Sequence, residues 1–245
     1  DVKNAEVLYT TTARKGLNTN EVLNGLGLTL DKTGYTHTEW FKDGLQYTFG
    51  ENDTINGWTN AYVKYTRKSY NVVAKLYLNG QPVMKADGTS HYLSDAVTGL
   101  YGDTIDYSAI ETWAKGLVVN DIDKDNTPDA AATTVKIYKD GGKYEPNDTF
   151  GNPDVSPNYV WADVTTYYEV TFDTDGGSAV DAQTVKYGEK LAAFDEPTKD
   201  GYKFLGWYTK ADEAFDLTTP ITKSMTLTAK WERNTYTIIY HGNGG

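Results

Sequence analysis

Four aspartates stand close together in one short segment of the chain, which reads DIDKDNTPD. They fall at positions 1, 3, 5 and 9 of a loop and are Asp121, Asp123, Asp125 and Asp129. Alternate carboxylates on a tightly curled loop can converge on a calcium ion, and Asn126 can take the left-handed conformation that such loops usually give to glycine. Position 12 is Ala132 and not a bidentate glutamate. The segment therefore predicts either a calcium site, the only cofactor we expect, or a solvated acidic loop.

Candidate catalytic bases are few. A hydrolase triad needs a nucleophile, a base and a group that orients the base, and the histidines of the chain are His37, His91 and His241. None of them lies in a recognisable motif, and the glycine pairs fall at hairpin turns rather than at the strand-to-helix junction of a nucleotide-binding motif. Carboxylates are plentiful, but small modules leave little room for a deep cleft. We expect no enzymatic activity.

Tryptophans offer a second kind of site, because exposed aromatic rings can form a platform for sugars. Trp58, in the loop INGWTN, is the best candidate for an exposed contact with a ligand. Trp113 and Trp161 stand where a helix and a strand should face a core, and a small core needs its large aromatic side chains. We therefore expect these two in the core.

The overall composition limits the partners. The net charge is −11, which opposes binding to the phosphates of nucleic acid. Apolar runs are far shorter than a membrane span, so we expect no membrane insertion. There is no cysteine, which excludes disulfides and thiolate zinc sites. The 20 tyrosines, 6 tryptophans and 7 phenylalanines favour strands over helices.

One pattern recurs along the chain, in which a Gly-Tyr pair precedes a Trp-aromatic pair by the same interval. Its two clear copies are Gly34-Tyr35 with Trp40-Phe41, and Gly201-Tyr202 with Trp207-Tyr208. A weaker middle copy begins near Tyr138, and the C-terminal YTIIYHGNGG repeats YEVTFDTDGG, residues 168–177. The repeat predicts three modules and the start of a fourth, with boundaries at 1–67, 68–166, 167–234 and 235–245. Short connections between them predict a semi-rigid array.

Each module is short enough that only one sheet with one covered face can form. In the third module, YEVTFDT, QTVKYGEKL, YKFLGWYT and SMTLTAKWE are predicted strands separated by turns rich in glycine, proline and aspartate. Helices are predicted over Asn18–Leu28 in the first module and Thr104–Leu117 in the second. The predicted fold class is α+β, mostly β, with each small mixed sheet covered by a short helix or a loop.

The third module resembles the internalin-B-type B repeat, also called the Listeria-Bacteroides repeat. The residues that carry the resemblance are YEVTFDTDGG, QTVKYGEKL, PTKDGYKFLGWYT, the pair Thr219-Pro220 and the closing LTAKW. The resemblance implies tandem β-grasp, ubiquitin-like modules in a bacterial surface protein, and it supplies no catalytic residues. The first module resembles the family in its second half. The middle module looks like a longer, divergent relative and is also similar to mucin-binding-type modules.

These observations favour a non-catalytic repeat region of a secreted or wall-attached bacterial surface protein, acting as a monomeric spacer or adhesive stalk outside the cell. One alternative is that the middle module binds a host glycoprotein or glycan. Another is that the chain is an accessory region of a large secreted peptidase or glycosidase.

Overall fold

The computed structural model describes residues 12–28, 30–37, 40–42, 47–49, 51–56, 60–139, 148–151 and 159–244. These residues are mostly β, with small sheets and few helices, as the composition predicts. They belong to two compact units. The first comprises Asp1–Asn71, Thr98–Ile105 and Asn147–Pro153, and the second comprises Val72–Val97, Asp106–Pro146 and Asp154–Gly245. No helix in the described part of the chain is both long and apolar enough to span a bilayer. The predicted module boundaries stay a prediction.

The described residues of the first module form one helix and two small antiparallel sheets. Helix α1 (Thr19–Gly25) begins where predicted, because the side chain of Asn18 accepts a hydrogen bond of 3.0 Å from the N–H of Glu21. It ends earlier than predicted, ahead of Gly27, which has a φ of 62°. Strands β1 (Tyr35–Thr36) and β5 (Thr66–Arg67) form one sheet. Strands β2 (Trp40–Lys42), β3 (Tyr47–Thr48) and β4 (Tyr62–Val63) form the other, in the order β3-β2-β4.

The repeat has a structural counterpart in the first and third modules, at the turn that carries the Gly-Tyr pair. Gly34 and Gly201 both have a positive φ, of 78° and 75°. The Lys32 ammonium lies 4.5 Å from the Tyr35 ring and 5.2 Å from the Tyr65 ring. The third module repeats this arrangement, because its lysine lies 4.8 Å and 5.7 Å from two rings, and the three side chains are Lys199, Tyr202 and Trp231. The same local packing has therefore been kept in both copies.

The second module is a mixed sheet with a helix on one face. Its strands are β6 (Ser69–Leu78), β7 (Gln81–Pro82), β8 (Val97–Leu100), β9 (Thr134–Tyr138) and β10 (Tyr159–Thr165). The order is β7-β6-β10-β9, with β8 also paired to β6. Only the central pair, β6 with β10, is parallel among the registers of this sheet. Helix α2 (Ser108–Leu117) packs against β9 and β10 through Ile110 and Ala114, which are fully buried. The helix is therefore four residues shorter at its start than predicted.

The third module repeats this sheet with a different cover. Its four strands are β11 (Tyr167–Asp173), β12 (Gln183–Lys186), β13 (Tyr202–Tyr208) and β14 (Met225–Arg233), in the order β12-β11-β14-β13. Strands β11 and β14 are parallel and the other pairs are antiparallel. All four were predicted, although β12 is shorter because the chain turns at Gly188, which has a φ of 78°.

The core of the third module lies between its sheet and the loops that cross it. Tyr168, Val170, Leu227 and Ala229 point inward from the two central strands. Ile221, from the loop before β14, is fully buried among them. Half-buried side chains close the edge of this core, and they are Phe172, Val180, Leu191, Phe194, Phe204, Phe215, Met225 and Trp231. Loops therefore cover the inner face of this sheet, as α2 covers the inner face of the sheet in the second module.

Residues 235–244, predicted to begin a further repeat, form neither helix nor strand in the structure. The apolar side chains of this segment are exposed by 72–87%, and they are Tyr236, Ile238, Ile239 and Tyr240. Its role as the start of a module stays a prediction.

Candidate functional site at the acidic segment

The acidic segment begins where α2 changes its winding. The last turn of α2 continues into a π-helical turn over Val118–Ile122, and a short 3-10 turn follows over Lys124–Asn126. Val118 is fully buried, and its carbonyl accepts a hydrogen bond of 2.8 Å from the N–H of Asp123. Because the wider π turn shifts the chain relative to an ordinary helix, Asp123 points inward.

Asp123 is a buried carboxylate, 7% exposed. One of its oxygens accepts a hydrogen bond of 2.5 Å from the hydroxyl of Tyr168, and the other accepts one of 2.8 Å from the side-chain amide of Asn126. Tyr168 itself is fully buried in β11. Burial raises the pKa of the Tyr168 hydroxyl above its ordinary value, and the hydrogen bond to Asp123 raises that pKa further. The hydroxyl therefore stays a donor, and it joins the acidic segment of the second module to the first strand of the third.

A single buried residue, Thr166, connects strand β10 to strand β11. Its hydroxyl lies 3.1 Å from that of Tyr168. Its N–H donates a hydrogen bond of 3.0 Å to the side chain of Asn79, which has a φ of 49° in the β6–β7 turn. The amide of Asn79 donates in return to the Thr166 hydroxyl at 3.0 Å. The connection between the modules is therefore fixed by hydrogen bonds on both sides.

Ser224 forms a second point of attachment, just ahead of β14. Its N–H donates to the carbonyl of Asn126 at 3.0 Å, and its hydroxyl donates to the carbonyl of Thr127 at 2.5 Å. Thr127 has a φ of 48°, which is unfavourable for a β-branched residue and persists only where its surroundings hold it. We refer to this set of contacts as the junction network, formed by Asn79, Asp123, Asn126, Thr127, Thr166, Tyr168 and Ser224.

The other aspartates of the segment have separate surroundings. Asp121 is exposed and lies 4.0 Å from the ammonium of Lys124, and Asp125 is exposed as well. The carboxylate of Asp129 accepts hydrogen bonds of 2.8 Å and 3.2 Å from the N–H groups of Ala131 and Ala132. Among the residues that the structure describes, which include all four aspartates, no three acidic or histidine side chains converge as metal ligands. Neither alternative predicted for the segment, calcium site or solvated loop, is tested by this geometry, but a calcium site would require Asp123 to leave Tyr168.

Comparison with known proteins places the residues of β11 to β14 in a family. Residues 168–230 match the Listeria-Bacteroides repeat domain. The match confirms the family prediction for the third module. It does not extend to the first two modules, whose resemblance to the same family or to mucin-binding-type modules stays a prediction.

Two relatives of this chain are proteins of Evansella cellulosilytica. One is named "Putative Gly-rich membrane protein" and is 38% identical over 110 residues, which cover 43% of this chain and 12% of the relative. The other is named "Putative membrane protein" and is 41% identical over 81 residues, which cover 32% of this chain and 12% of the relative. The chain therefore spans only a small part of the length of these relatives.

The other residues considered as sites lie outside residues 168–230 in the sequence. Trp58 lies outside the described residues. His37 packs edge-on against Tyr65, with 6.0 Å between ring centroids, and His241 is exposed. His91 is half-buried, and its Nδ1 has no hydrogen-bond partner.

The two tryptophans predicted for the core have different surroundings in the structure. Trp113 is half-buried on α2, beside the fully buried Ile110 and Ala114. Trp161 is also half-buried, and it lies on the face of the sheet opposite α2, because its neighbours Val160 and Ala162 occupy the inner face. The core prediction is therefore wrong for Trp161.

Sequence reasoning missed the partners of Asp123. Tyr168 was recognised only as the opening residue of a repeat, and Asn79, Thr166 and Ser224 were not singled out. An available signal was the absence of a linker-like segment around Thr166, since so short a connection forces neighbouring modules into contact.

Proposed function

We propose that this chain is a non-catalytic stretch of tandem β-grasp modules that acts as a spacer in a bacterial cell-envelope protein. The observation that carries the proposal is the buried hydrogen bond of 2.5 Å between Asp123 of the second module and Tyr168 of the third. A buried hydrogen bond to a charged group contributes about 1.5–3 kcal/mol. Such a contact at a module junction holds neighbouring modules in one orientation, which is what a spacer needs.

The topology of the second and third modules supports the β-grasp assignment. In both, the first and last strands form the parallel central pair, and the edges are β7 and β9 in the second module and β12 and β13 in the third. In the second module, α2 lies between β8 and β9 in the chain and covers one face of the sheet. The third module keeps the sheet and replaces the helix with loops, which suits a divergent member of the same fold.

The location at the cell envelope is supported by the comparisons. The relatives carry membrane-protein names, and the third module matches a repeat domain that its resemblance associates with bacterial surface proteins. We propose that the modules lie outside the cell, as monomers, in a secreted or wall-attached protein. The polar groups buried at the junction bind one another, so they support a structural role for this site rather than a catalytic one.

Distances between spin labels measure the rigidity of the junction. The chain has no cysteine, so labels can be placed at will. Glu111→Cys on α2 and Lys203→Cys on β13 are exposed positions in regular elements of the second and third modules. The proposal predicts a narrow distance distribution in the parent chain and a broad one after Asp123→Ala with Tyr168→Phe.

Matched controls separate junction rigidity from general damage. Asp121→Ala removes a neighbouring but exposed carboxylate, so the distribution should stay narrow. A label pair within the third module, Thr184→Cys with Lys203→Cys, should also stay narrow in every variant. A broad distribution between the modules of the parent chain would contradict the spacer role.

A further inference from the structure

The outer face of the second module's sheet, opposite α2, carries an unusual set of side chains. The inner face is formed by small apolar residues that are completely buried, Val160, Ala162 and Val164 on β10. Side chains alternate along a strand, so Tyr159, Trp161 and Asp163 point to the outer face. Trp161 is half-buried there, and Tyr159 is 38% exposed.

The registers place further aromatic residues beside Trp161. Lys75 of β6 and Tyr138 of β9 are its direct neighbours across the sheet. Tyr77 of β6 lies diagonally, with 5.5 Å between its ring centroid and that of Trp161 and an angle of 38° between the rings. Four aromatic side chains therefore share this face, which we call the aromatic platform, formed by Tyr77, Tyr138, Tyr159 and Trp161.

Polar side chains border these rings. The ammonium of Lys75 lies 5.0 Å from the centre of the Tyr159 ring. Asp163 pairs with Tyr77 on one side and with Lys136 on the other. One oxygen of Asp163 accepts a hydrogen bond of 3.0 Å from the N–H of Gly80. The platform thus combines apolar ring surface with charged hydrogen-bonding groups at its margin.

The third module has no such platform on the same face of its sheet. There the outward side chains of the two central strands include Thr171 and Thr226, whose hydroxyls are 2.8 Å apart. Two aromatic residues also lie on this face, Tyr208 of β13, which pairs with Thr228, and Tyr167 at the start of β11, but no tryptophan does. The shared fold therefore does not require an aromatic outer face, and its presence in the second module needs another explanation.

We propose that the aromatic platform binds a neutral glycan chain. Sugar rings have one apolar face that packs on aromatic rings and a rim of hydroxyls that hydrogen-bond with groups such as Lys75, Lys136 and Asp163. Three strands about 4.8 Å apart give a platform of roughly 200 Å², far below the ~800 Å² per partner of a stable protein interface. The net charge of −11 opposes acidic polysaccharides. The area and the charge therefore select a neutral glycan.

Fluorine NMR of the full chain labelled with fluorotryptophan tests this proposal. The probes are soluble oligosaccharides of glucan, xylan, mannan and chitin, and Trp161→Phe assigns the Trp161 resonance among the six tryptophans. The proposal predicts a saturable shift of that resonance with at least one probe. In calorimetric titrations with the same probe, Trp161→Ala should weaken binding roughly tenfold relative to the parent chain. Tyr159→Ala, at the exposed margin, should weaken it several-fold with little risk to folding.

The matched control is Tyr208→Ala, which removes an aromatic residue from the outer face of the third module and should leave glycan affinity unchanged. The proposal fails if no neutral oligosaccharide shifts the Trp161 resonance, or if Trp161→Ala and Tyr159→Ala bind as tightly as the parent chain. It also fails if the resonance shifts only with an acidic polysaccharide, with a proline-rich peptide or on self-association in sedimentation. These results are independent of the label distances that test the spacer role.

Discussion

The second and third modules share one sheet topology and differ in what covers it. In both, a parallel central pair of strands is buried on its inner face, through Leu76 in the second module and Leu227 in the third. The second module places α2 on that face, whereas the third uses loops, one of which contributes Ile221. A sheet of this kind can therefore be closed by different covers without any change in strand order.

Helix α2, which covers the sheet of the second module, also leads into the contact with the next module. The C-terminal end of α2 continues through a π turn into the acidic segment, which then reaches Tyr168 and Ser224 of the next module. In this comparison, the part of the second module that is absent from the third is also the part that binds the neighbouring module. The segment that lengthens the second module therefore contributes to its junction as well as to its core.

The largest effect is expected when a core side chain is removed from either module. Comparing the two modules shows whether a helix and a set of loops close equally stable cores. Leu76→Ala and Leu227→Ala each remove a fully buried side chain, so each should lower the free energy of unfolding of its own module by about 2–5 kcal/mol. Urea denaturation followed by amide resonances of each module measures this. Leu205→Ala, at a residue 48% exposed, should stay within about 0.5 kcal/mol of the parent. A neutral Leu227→Ala would show that the loops do not close a core.

The second prediction compares Tyr168 with Tyr202, a half-buried tyrosine of the same module, at alkaline pH. Burial, and then the hydrogen bond to Asp123, raise the pKa of Tyr168 above its ordinary value of 10.0. Because its folded-state pKa is raised, the stability that Tyr168 contributes is present below pH 10 and is lost as the pH rises beyond that value. Tyr168→Phe should flatten the loss of stability above pH 10.

Ultraviolet titration provides a further reading of this comparison. The hydrogen bond from Arg233, and then its positive charge, lower the pKa of Tyr202 below the ordinary value. Tyr202 should therefore ionise before Tyr168 as the pH rises. The reverse order, established with Tyr202→Phe and Tyr168→Phe, would contradict the burial of Tyr168 at the junction.

The third prediction, with a smaller expected effect, concerns the pKa of one aspartate in a turn of each module, Asp87 in the second and Asp216 in the third. Hydrogen bonds from the Ser90 side chain, and then from the N–H groups of Ser90 and Thr89, lower the pKa of Asp87 to about 2. Hydrogen bonds from the N–H and then the side chain of Thr218 lower the pKa of Asp216 as well. The contribution of Asp87 to stability is present above its ordinary value of 3.8 and is lost as the pH falls through about 2. Carboxyl NMR should show both Asp87 and Asp216 titrating below 3.8, with Asp87 near 2, and an Asp87 titration at its ordinary value would refute its hydrogen bonds to Ser90 and Thr89.

The smallest expected effect is that of calcium. Because Asp123 accepts hydrogen bonds from Tyr168 and Asn126, and Asp129 accepts them from backbone N–H groups, we expect no heat when the chelated chain is titrated with calcium. The double variant Asp121→Ala/Asp123→Ala is the control. If the chain binds calcium saturably and this variant abolishes the binding, the acidic segment is a metal site. The assignment of Asp123 to the junction would then be wrong.

Much of the fold could be predicted from local signals. The strands of the third module combine alternating side chains with turn residues, such as Asp175 and Gly176, which both have a positive φ. The spacing of Ile110 and Ala114 predicted the buried face of α2. Local patterns succeed here because each of these elements is determined mainly by residues within it.

The function of Asp123 and the orientation of Trp161 could not be obtained in the same way. The spacing of the aspartates suits a cation, a turn or a distant donor, and only the fold brings Tyr168, 45 positions away, to Asp123. For Trp161, size favoured the core, whereas the alternation of Val160, Ala162 and Val164 assigns the inner face to its smaller neighbours. The alternation along the whole of β10 indicates the outer face for Trp161 more reliably than the size of its side chain indicates the core.

The central claim is that the acidic segment of the second module binds the third module through Asp123 and Tyr168. A double-mutant cycle with Asp123→Ala and Tyr168→Phe, measured by urea denaturation of the full chain, tests it most directly. We expect a coupling free energy of about 1.5–3 kcal/mol for this pair and none for Asp121→Ala with Tyr168→Phe. A coupling of zero between Asp123 and Tyr168 would contradict it.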